Sequence, residues 1–391
     1  MYDFTTLRPR RGMGAEKWAE LERQGVSDPE VIPFSVADMD LLCAPEITAA
    51  LREAVDFGVY GYTVAEDGFR SALAGWMARR HGWEIRPEWL VSTFGVVHAI
   101  LQAVYAFTKP GEAVIYQSPA YPPFRSVPGA AGRKLYANPL RRSDGCWEMD
   151  FDGLEALCAR PESKLLLLCS PHNPTGRVWT GEELSRVADI CRRHGVLVFS
   201  DEIHADFVFA PHRHSVFARF EERCIVAVSA SKTFNLAGLS TASILIPDRE
   251  LRRRFRDAGT AHTGFFNNYF GLAAARAAYE HGEAWLDALV VHLRGNYEYA
   301  VDFLSKKFPS VKVAPQEGTY LLWADFSCLG LTPEEQERFL REDALVFTDE
   351  GYLFGPEGSG FERLVLACPR YHLQKALERL DAAAGRRNLP R

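Results

Sequence analysis

Lys232 stands as one amine among hydroxyls in Ser229-Ala230-Ser231-Lys232-Thr233-Phe234-Asn235, directly after the apolar run 224–228, which reads as a buried strand. An amine in that setting can condense with an aldehyde cofactor, and Ser229 and Ser231 are placed to donate hydrogen bonds to a phosphate on the same molecule. Two more apolar runs end in chemistry. Ser170-Pro171-His172-Asn173-Pro174-Thr175-Gly176 follows the run 165–169, and Ser200-Asp201-Glu202-Ile203-His204 follows 196–199. In a parallel α/β sheet the carboxyl ends of the strands form the ligand crevice, so Asn173, Asp201 and Lys232 are expected to converge. Their chemistry is complementary: Asp201 can keep a pyridine nitrogen protonated, Asn173 and His204 can hydrogen-bond a ring hydroxyl, and Lys232 supplies the condensing amine. That set describes a site for pyridoxal 5'-phosphate.

The elements that must position these residues follow from periodicity. Between about 45 and 284, strands expected at 113–117, 165–169, 196–199, 225–228 and 242–246 alternate with helical stretches such as 182–194 and 268–279. This is the pattern of an α/β fold with a mainly parallel sheet covered on both faces, forming a large cofactor-binding domain over 45–284. From 285 to 391 the pattern changes to a long helix, strands at 311–314 and 319–324, a helix near 333–342 and a final helix from Leu373. That reads as an α+β small domain, joined by the N-terminal segment 1–44.

Length and composition agree, since 391 residues with 47% hydrophobic content can bury the cores of two domains. A net charge of −6 speaks against nucleic acid as a partner. No apolar run approaches the ~18 residues of a membrane helix, and the N-terminus shows no basic-then-apolar leader. The eight cysteines have no metal-type pairing, which points to a reduced, cytoplasmic protein with no membrane partner. The histidines at 204, 212 and 214 match no metal-ligand spacing, and His212 and His214 read as a solvated loop. Gly95-Val96-Val97-His98 opens a helical stretch, where backbone N–H groups favour an anion.

Several long motifs carry a family resemblance: 169–180 (Cys-Ser-Pro-His-Asn-Pro-Thr-Gly-Arg-Val-Trp-Thr), Asp201-Glu202-Ile203-His204-Ala205-Asp206, Ser35-Val36-Ala37-Asp38-Met39-Asp40 and Ala367-Cys368-Pro369-Arg370. With these the chain resembles, nearly end to end, a fold-type I pyridoxal phosphate enzyme of the class I/II aminotransferase superfamily, in its MalY/PatB group of cystathionine β-lyases, or C–S lyases. The resemblance implies a seven-stranded sheet and places the cofactor phosphate on the backbone of Gly95, Val96 and Val97. It gives Tyr121 a stacking role on the pyridine, and makes it or Lys232 the proton donor to a leaving sulfur. Tyr62 resembles a tyrosine that reaches the phosphate from the neighbouring subunit, which implies a homodimer with shared active sites. Arg370 matches an arginine that grips the substrate α-carboxylate, with Asn173, and a planar guanidinium suits bidentate binding.

The sequence also departs from its relatives. Ser240 stands where many aminotransferases have a phosphate-binding arginine, and His204 replaces a common tyrosine, both in the MalY direction; Val365 takes a place usually held by asparagine. The reaction this implies is β-elimination from cystathionine or another cysteine S-conjugate, giving a thiol, pyruvate and ammonia. Transamination of an L-amino acid with a 2-oxo acid uses the same residues, and a regulatory binding protein of the same fold is the third reading. For the rest of the substrate pocket, Phe34, Tyr121 and Phe354 are the candidates.

Overall fold

The computed structural model describes residues 2–143, 145–264 and 267–390. Its centre is a seven-stranded sheet with the spatial order Leu90–Thr93, Ala242–Leu245, Cys224–Val228, Leu197–Asp201, Ser163–Cys169, Ala113–Ser118, Lys134–Pro139. Every neighbouring pair is parallel except those made by Ala242–Leu245, which runs antiparallel to both its neighbours.

Burial on both faces explains why the central strands read as continuous apolar runs. Leu165 and Leu167 point into a core with Val114, Ile225, Ile100 and Val104, whereas Leu166 and Leu168 join Ile115, Val198, Val226 and Leu184 on the opposite face. This is the two-residue alternation of a strand, with both faces covered. The flanking helices carry their own start and stop signals. Gly181–His194 begins with a capping box between Thr180 and Glu183 and ends at Gly195, whose φ of 66° suits a residue without Cβ.

A second, four-stranded antiparallel sheet has the order Lys312–Val313, Leu321–Asp325, Phe361–Val365, Asp349–Glu350. The helices Glu283–Lys307 and Arg370–Arg387 contribute Ala300, Leu304, Leu373, Leu377 and Leu380 to the core beside it. From the N-terminal side, Ile32–Pro33 pairs in parallel with Val346–Phe347.

Three differences from the sequence expectations bear on function. The strand expected to stop at 199 continues to Asp201, so this carboxylate sits on the sheet itself. The last helix begins at Arg370 instead of Leu373. The strand Phe361–Val365, central in the small sheet, has no counterpart among the expected elements, because Glu362 and Arg363 interrupt its apolar pattern although all five residues are buried.

Candidate active site

Cys169, Asp201 and Ala227 are register partners on three adjacent parallel strands, so the segments that follow them leave the sheet side by side. Asp201 is 5% exposed and accepts the N–H of Ile203 at 3.1 Å. Burial pushes its pKa up to about 7, against the opposing effects of that N–H and of the Lys232 charge. Lys232 lies in the one-turn helix Ala230–Thr233, capped by Ser229, whose Oγ accepts the Ser231 N–H at 3.0 Å. Its Nζ donates to the carbonyl of Ala37 at 2.5 Å. Burial, reinforced by the nearby Arg363 cation, brings the Lys232 pKa down to about 8. His204 is held neutral, with its pKa lowered to about 3 by burial and by the charges of Lys232 and Arg363. Its Nδ1 is buried and has no hydrogen-bond partner among the described residues.

The segment after Cys169 is fixed by its own polar side chains. Nδ1 of His172 lies 2.9 Å from Thr175 Oγ1, and the Trp179 indole donates to the Cys169 carbonyl at 2.9 Å. At its end Gly176 has φ +75° with the Gly318 carbonyl 3.4 Å from where a Cβ would stand, so glycine meets both a conformational and a space requirement. Asn173 is thereby held with its Oδ1 accepting from Arg363 Nη1 at 3.0 Å.

A cavity of about 300 Å³ is lined by Asn173, Asp201, His204 and Lys232, by Gly95, Val96 and Val97 at the start of the helix Val96–Phe107, and by Tyr121, Ser231, Ser240 and Thr241. These residues fit pyridoxal phosphate. Gly95 caps the helix at φ 140°, which leaves the first N–H groups open toward an anion. A buried carboxylate, a neutral imidazole and a partly desolvated amine are the groups that a pyridine nitrogen, a ring hydroxyl and an aldehyde require. Tyr121 borders the same space, its phenol kept protonated by burial.

The cavity therefore brings together Gly95, Val96, Val97, Tyr121, Asn173, Asp201, His204, Ser231 and Lys232. Ser229 backs this wall without lining it: its Oγ donates to the Thr241 carbonyl at 2.7 Å and lies 2.9 Å from Ser231 Oγ. Tyr62 is fully exposed on its own chain. Arg370 does not reach the cavity. It starts the final helix, its Nε donates to Asn296 Oδ1 at 2.6 Å, and its guanidinium lies over Tyr299 at 5.2 Å. Those contacts turn it toward the helix Glu283–Lys307 and away from the sheet ends.

The arginine beside the site is Arg363, which is not among the site residues expected from the sequence. It is 4% exposed, contacts Asn173, and its charge acts on Lys232, His204 and Tyr121. A usable signal was present: an arginine inside the apolar run 361–366 is costly to bury unless something pairs with it. His214 also departs from expectation. Its side chain is 3% exposed with Nε2 2.8 Å from the buried Glu202 carboxylate, whereas His212 is exposed. Of the other pocket candidates, Phe354 lies 4.8 Å from the Arg363 guanidinium, and Phe34 belongs to the core beside the small sheet.

The profile described as Aminotransferase class I and II matches residues 29–380. The chain belongs to this family. Cystathionine beta-lyase PatB of Bacillus subtilis (strain 168) is 40% identical over 387 residues, covering 97% of this chain and 99% of that protein. Protein MalY of Escherichia coli (strain K12) is 34% identical, with 96% and 97% covered. Among solved structures, cystalysin from Treponema denticola, which contains a pyridoxal 5'-phosphate cofactor, superposes with a TM-score of 0.96 at 37% identity over 99% of both chains. The fold is the fold-type I transferase fold of this family, with the seven-stranded, mostly parallel sheet expected from the sequence. Ser240 lines the cavity, and the buried Val365 lies two residues beyond Arg363.

Proposed function

We propose that this protein is a pyridoxal-phosphate-dependent carbon–sulfur β-lyase that converts L-cystathionine or a related cysteine S-conjugate, with water, to a thiol, pyruvate and ammonia. The observation that carries the reading is the shared cavity of Lys232, Asp201, His204 and Asn173, backed by Arg363, in a chain 40% identical to a protein named cystathionine beta-lyase.

Bound pyridoxal phosphate supplies an electron sink that makes the substrate Cα–H bond acidic. Asp201 would hold the proton on the cofactor's pyridine nitrogen, and a cationic partner there would favour its carboxylate form. His204 and Asn173 line the cavity and would hydrogen-bond the ring hydroxyl of the cofactor, and Tyr121 would pack against its ring. The backbone of Gly95, Val96 and Val97, with Ser231, would hold the phosphate. Arg363 takes the α-carboxylate, in place of the Arg370 expected from sequence, with Asn173 fixing one of its terminal nitrogens. Burial brings the Lys232 pKa down to about 8, which raises the neutral fraction of its amine near neutral pH and suits it to take the Cα proton. Lys232 or the Tyr121 phenol returns a proton to the departing sulfur.

The reading includes a homodimer. Tyr62 is 100% exposed in a segment whose Val55, Phe57, Val59, Tyr60 and Val64 are exposed as well, an apolar face that a second copy would cover while carrying Tyr62 toward the partner's phosphate site. It also carries a cytoplasmic setting, supported by eight free cysteines. Among the described residues no helix is long and apolar enough to cross a membrane.

The test is to incubate cofactor-loaded protein with L-cystathionine, without any 2-oxo acid, and quantify thiol, pyruvate and ammonia. Equimolar release of all three, abolished in Lys232→Ala, is the expected result. Glutamate formation on adding 2-oxoglutarate and amino acids, with no pyruvate from cystathionine, would replace the lyase by an aminotransferase.

A further inference from the structure

Arg363 owes its orientation to a residue outside the cavity. Asp349 is its register partner in the antiparallel pairing of Asp349–Glu350 with Phe361–Val365, so the two side chains share a face of the small sheet. Oδ2 of Asp349 accepts from Arg363 Nε at 3.1 Å and from Nη2 at 2.5 Å. Asn173 Oδ1 accepts from Nη1 at 3.0 Å, and the Phe354 ring lies 4.8 Å from the guanidinium. A guanidinium has five donors in one fixed plane. Among the described residues these bonds use three of them, leaving one N–H on each terminal nitrogen.

Asp349 is itself held. Its side chain is 14% exposed, and Oδ1 weakly accepts the N–H of Val36 at 3.4 Å. Val36 is a β-branched residue at φ 53°, a conformation that such residues rarely adopt, and the next carbonyl, Ala37 O, accepts both Lys232 Nζ at 2.5 Å and Tyr320 Oη at 2.9 Å. The arginine and the amine of Lys232 are thus referenced to one short segment of chain, through Asp349 on one side and Ala37 on the other.

We infer that Asp349 is a positioning residue for substrate binding: it locks the Nε–Nη2 edge of Arg363, so that the remaining terminal N–H groups are pre-aimed at the substrate α-carboxylate. The inference rests on the proposed carboxylate role of Arg363. A different role is open to the same ion pair, since Asp349 could simply reduce the positive charge of a buried arginine. The two roles have opposite signs. Asparagine at 349 keeps the size and one acceptor but removes the charge. A charge-reducing Asp349 would then have been weakening carboxylate binding, and its loss would strengthen it; a positioning Asp349 would have been strengthening it.

The experiment uses holoenzymes of wild type, Asp349→Asn, Asp349→Ala and Arg363→Lys. L-Alanine, which has no leaving group, is titrated against the absorbance of the bound cofactor, and KM and kcat are measured with L-cystathionine. We expect both Asp349 variants to weaken L-alanine binding and raise KM about tenfold, the scale of one or two charge-assisted hydrogen bonds, while kcat falls less than about threefold. Unchanged or tighter L-alanine binding in Asp349→Asn, with Arg363→Lys clearly weakened, would overturn the role of Asp349 and leave Arg363 in place. Unchanged binding in Arg363→Lys would take the inference down together with its premise.

Discussion

The hydroxyl of Thr233 donates to Oδ2 of Asp206 across 2.6 Å, tying the residue after Lys232 to the segment that begins at Asp201. The other carboxylate oxygen accepts the Trp76 indole N–H at 3.1 Å and lies 2.9 Å from His81 Nε2. Burial works against the charge of Asp206, but its hydrogen bonds and the neighbouring His81 outweigh burial and lower its pKa. One buried anion thus anchors the helix that presents Lys232. Asp206→Ala leaves the Thr233 hydroxyl and the Trp76 N–H without their acceptor in the interior. A loss on the order of 3 kcal/mol is expected, read as a lower denaturant midpoint of the cofactor-free protein. A midpoint equal to wild type would show that Asp206 is not this anchor.

Lys232 gives a pH prediction with a definite sign. An amine condenses with an aldehyde in its neutral form, and burial with the nearby Arg363 brings the pKa of this amine down to about 8 from the ordinary lysine value of ~10.4. The rate at which cofactor-free protein takes up pyridoxal phosphate should therefore climb with pH through about 8 and level off above it. Stopped-flow absorbance over pH 6 to 10 measures this, as an experimental range of ~4 units around that pKa. A rate still climbing steeply at the upper end would mean an unperturbed lysine. The same shift bears on stability: since the folded protein holds this proton less tightly than the unfolded chain, the contribution of Lys232 to folding improves as pH rises from about 8 toward 10.5.

Arg363 and Arg370 should separate cleanly. Arg363→Ala removes the cation beside Asn173 and leaves Asp349 buried without its partner, so KM for cystathionine should rise about 100-fold, the scale of a lost charge-assisted pair. Arg370→Ala removes contacts to Asn296 and Tyr299 and should change kcat/KM less than about threefold. Steady-state kinetics on the two variants decide the point, and the reverse ranking would restore Arg370 to the site.

What the sequence could and could not reveal has a physical basis in these residues. Asn173, Asp201 and Lys232 are legible because each comes at the end of a continuous apolar run in a parallel sheet, where connectivity alone forces convergence. Arg363 is hidden because its strand carries two ionisable side chains whose partners stand elsewhere in the chain. Glu362 accepts from Gln336 and Thr348, and Arg363 meets Asp349 and Asn173. Periodicity sees the charges and not their partners. His214 fails the same way: polar neighbours suggest a solvated loop, while Glu202, buried on the sheet side, holds the ring inside. Arg370 shows the converse case, in which a motif is legible but the direction of its side chain, set by Asn296, is not.

The shared active site can be tested by complementation. If Tyr62 serves the partner's cavity, a Tyr62→Ala chain paired with a Lys232→Ala chain builds one intact site, with the lysine from the first and the tyrosine from the second, and one site lacking both. Mixing equal amounts after reversible dissociation yields hybrids for half of the dimers, each with one intact site of two. Activity should then reach about a quarter of wild type, from the statistics of a two-fold dimer. The assay is run at a cofactor concentration low enough to deplete Tyr62→Ala, because its defect is loosened phosphate binding. Were Tyr62 to serve its own chain, neither site of the hybrid would be intact and mixing would restore nothing. The full exposure of Tyr62 on the isolated chain favours the first outcome.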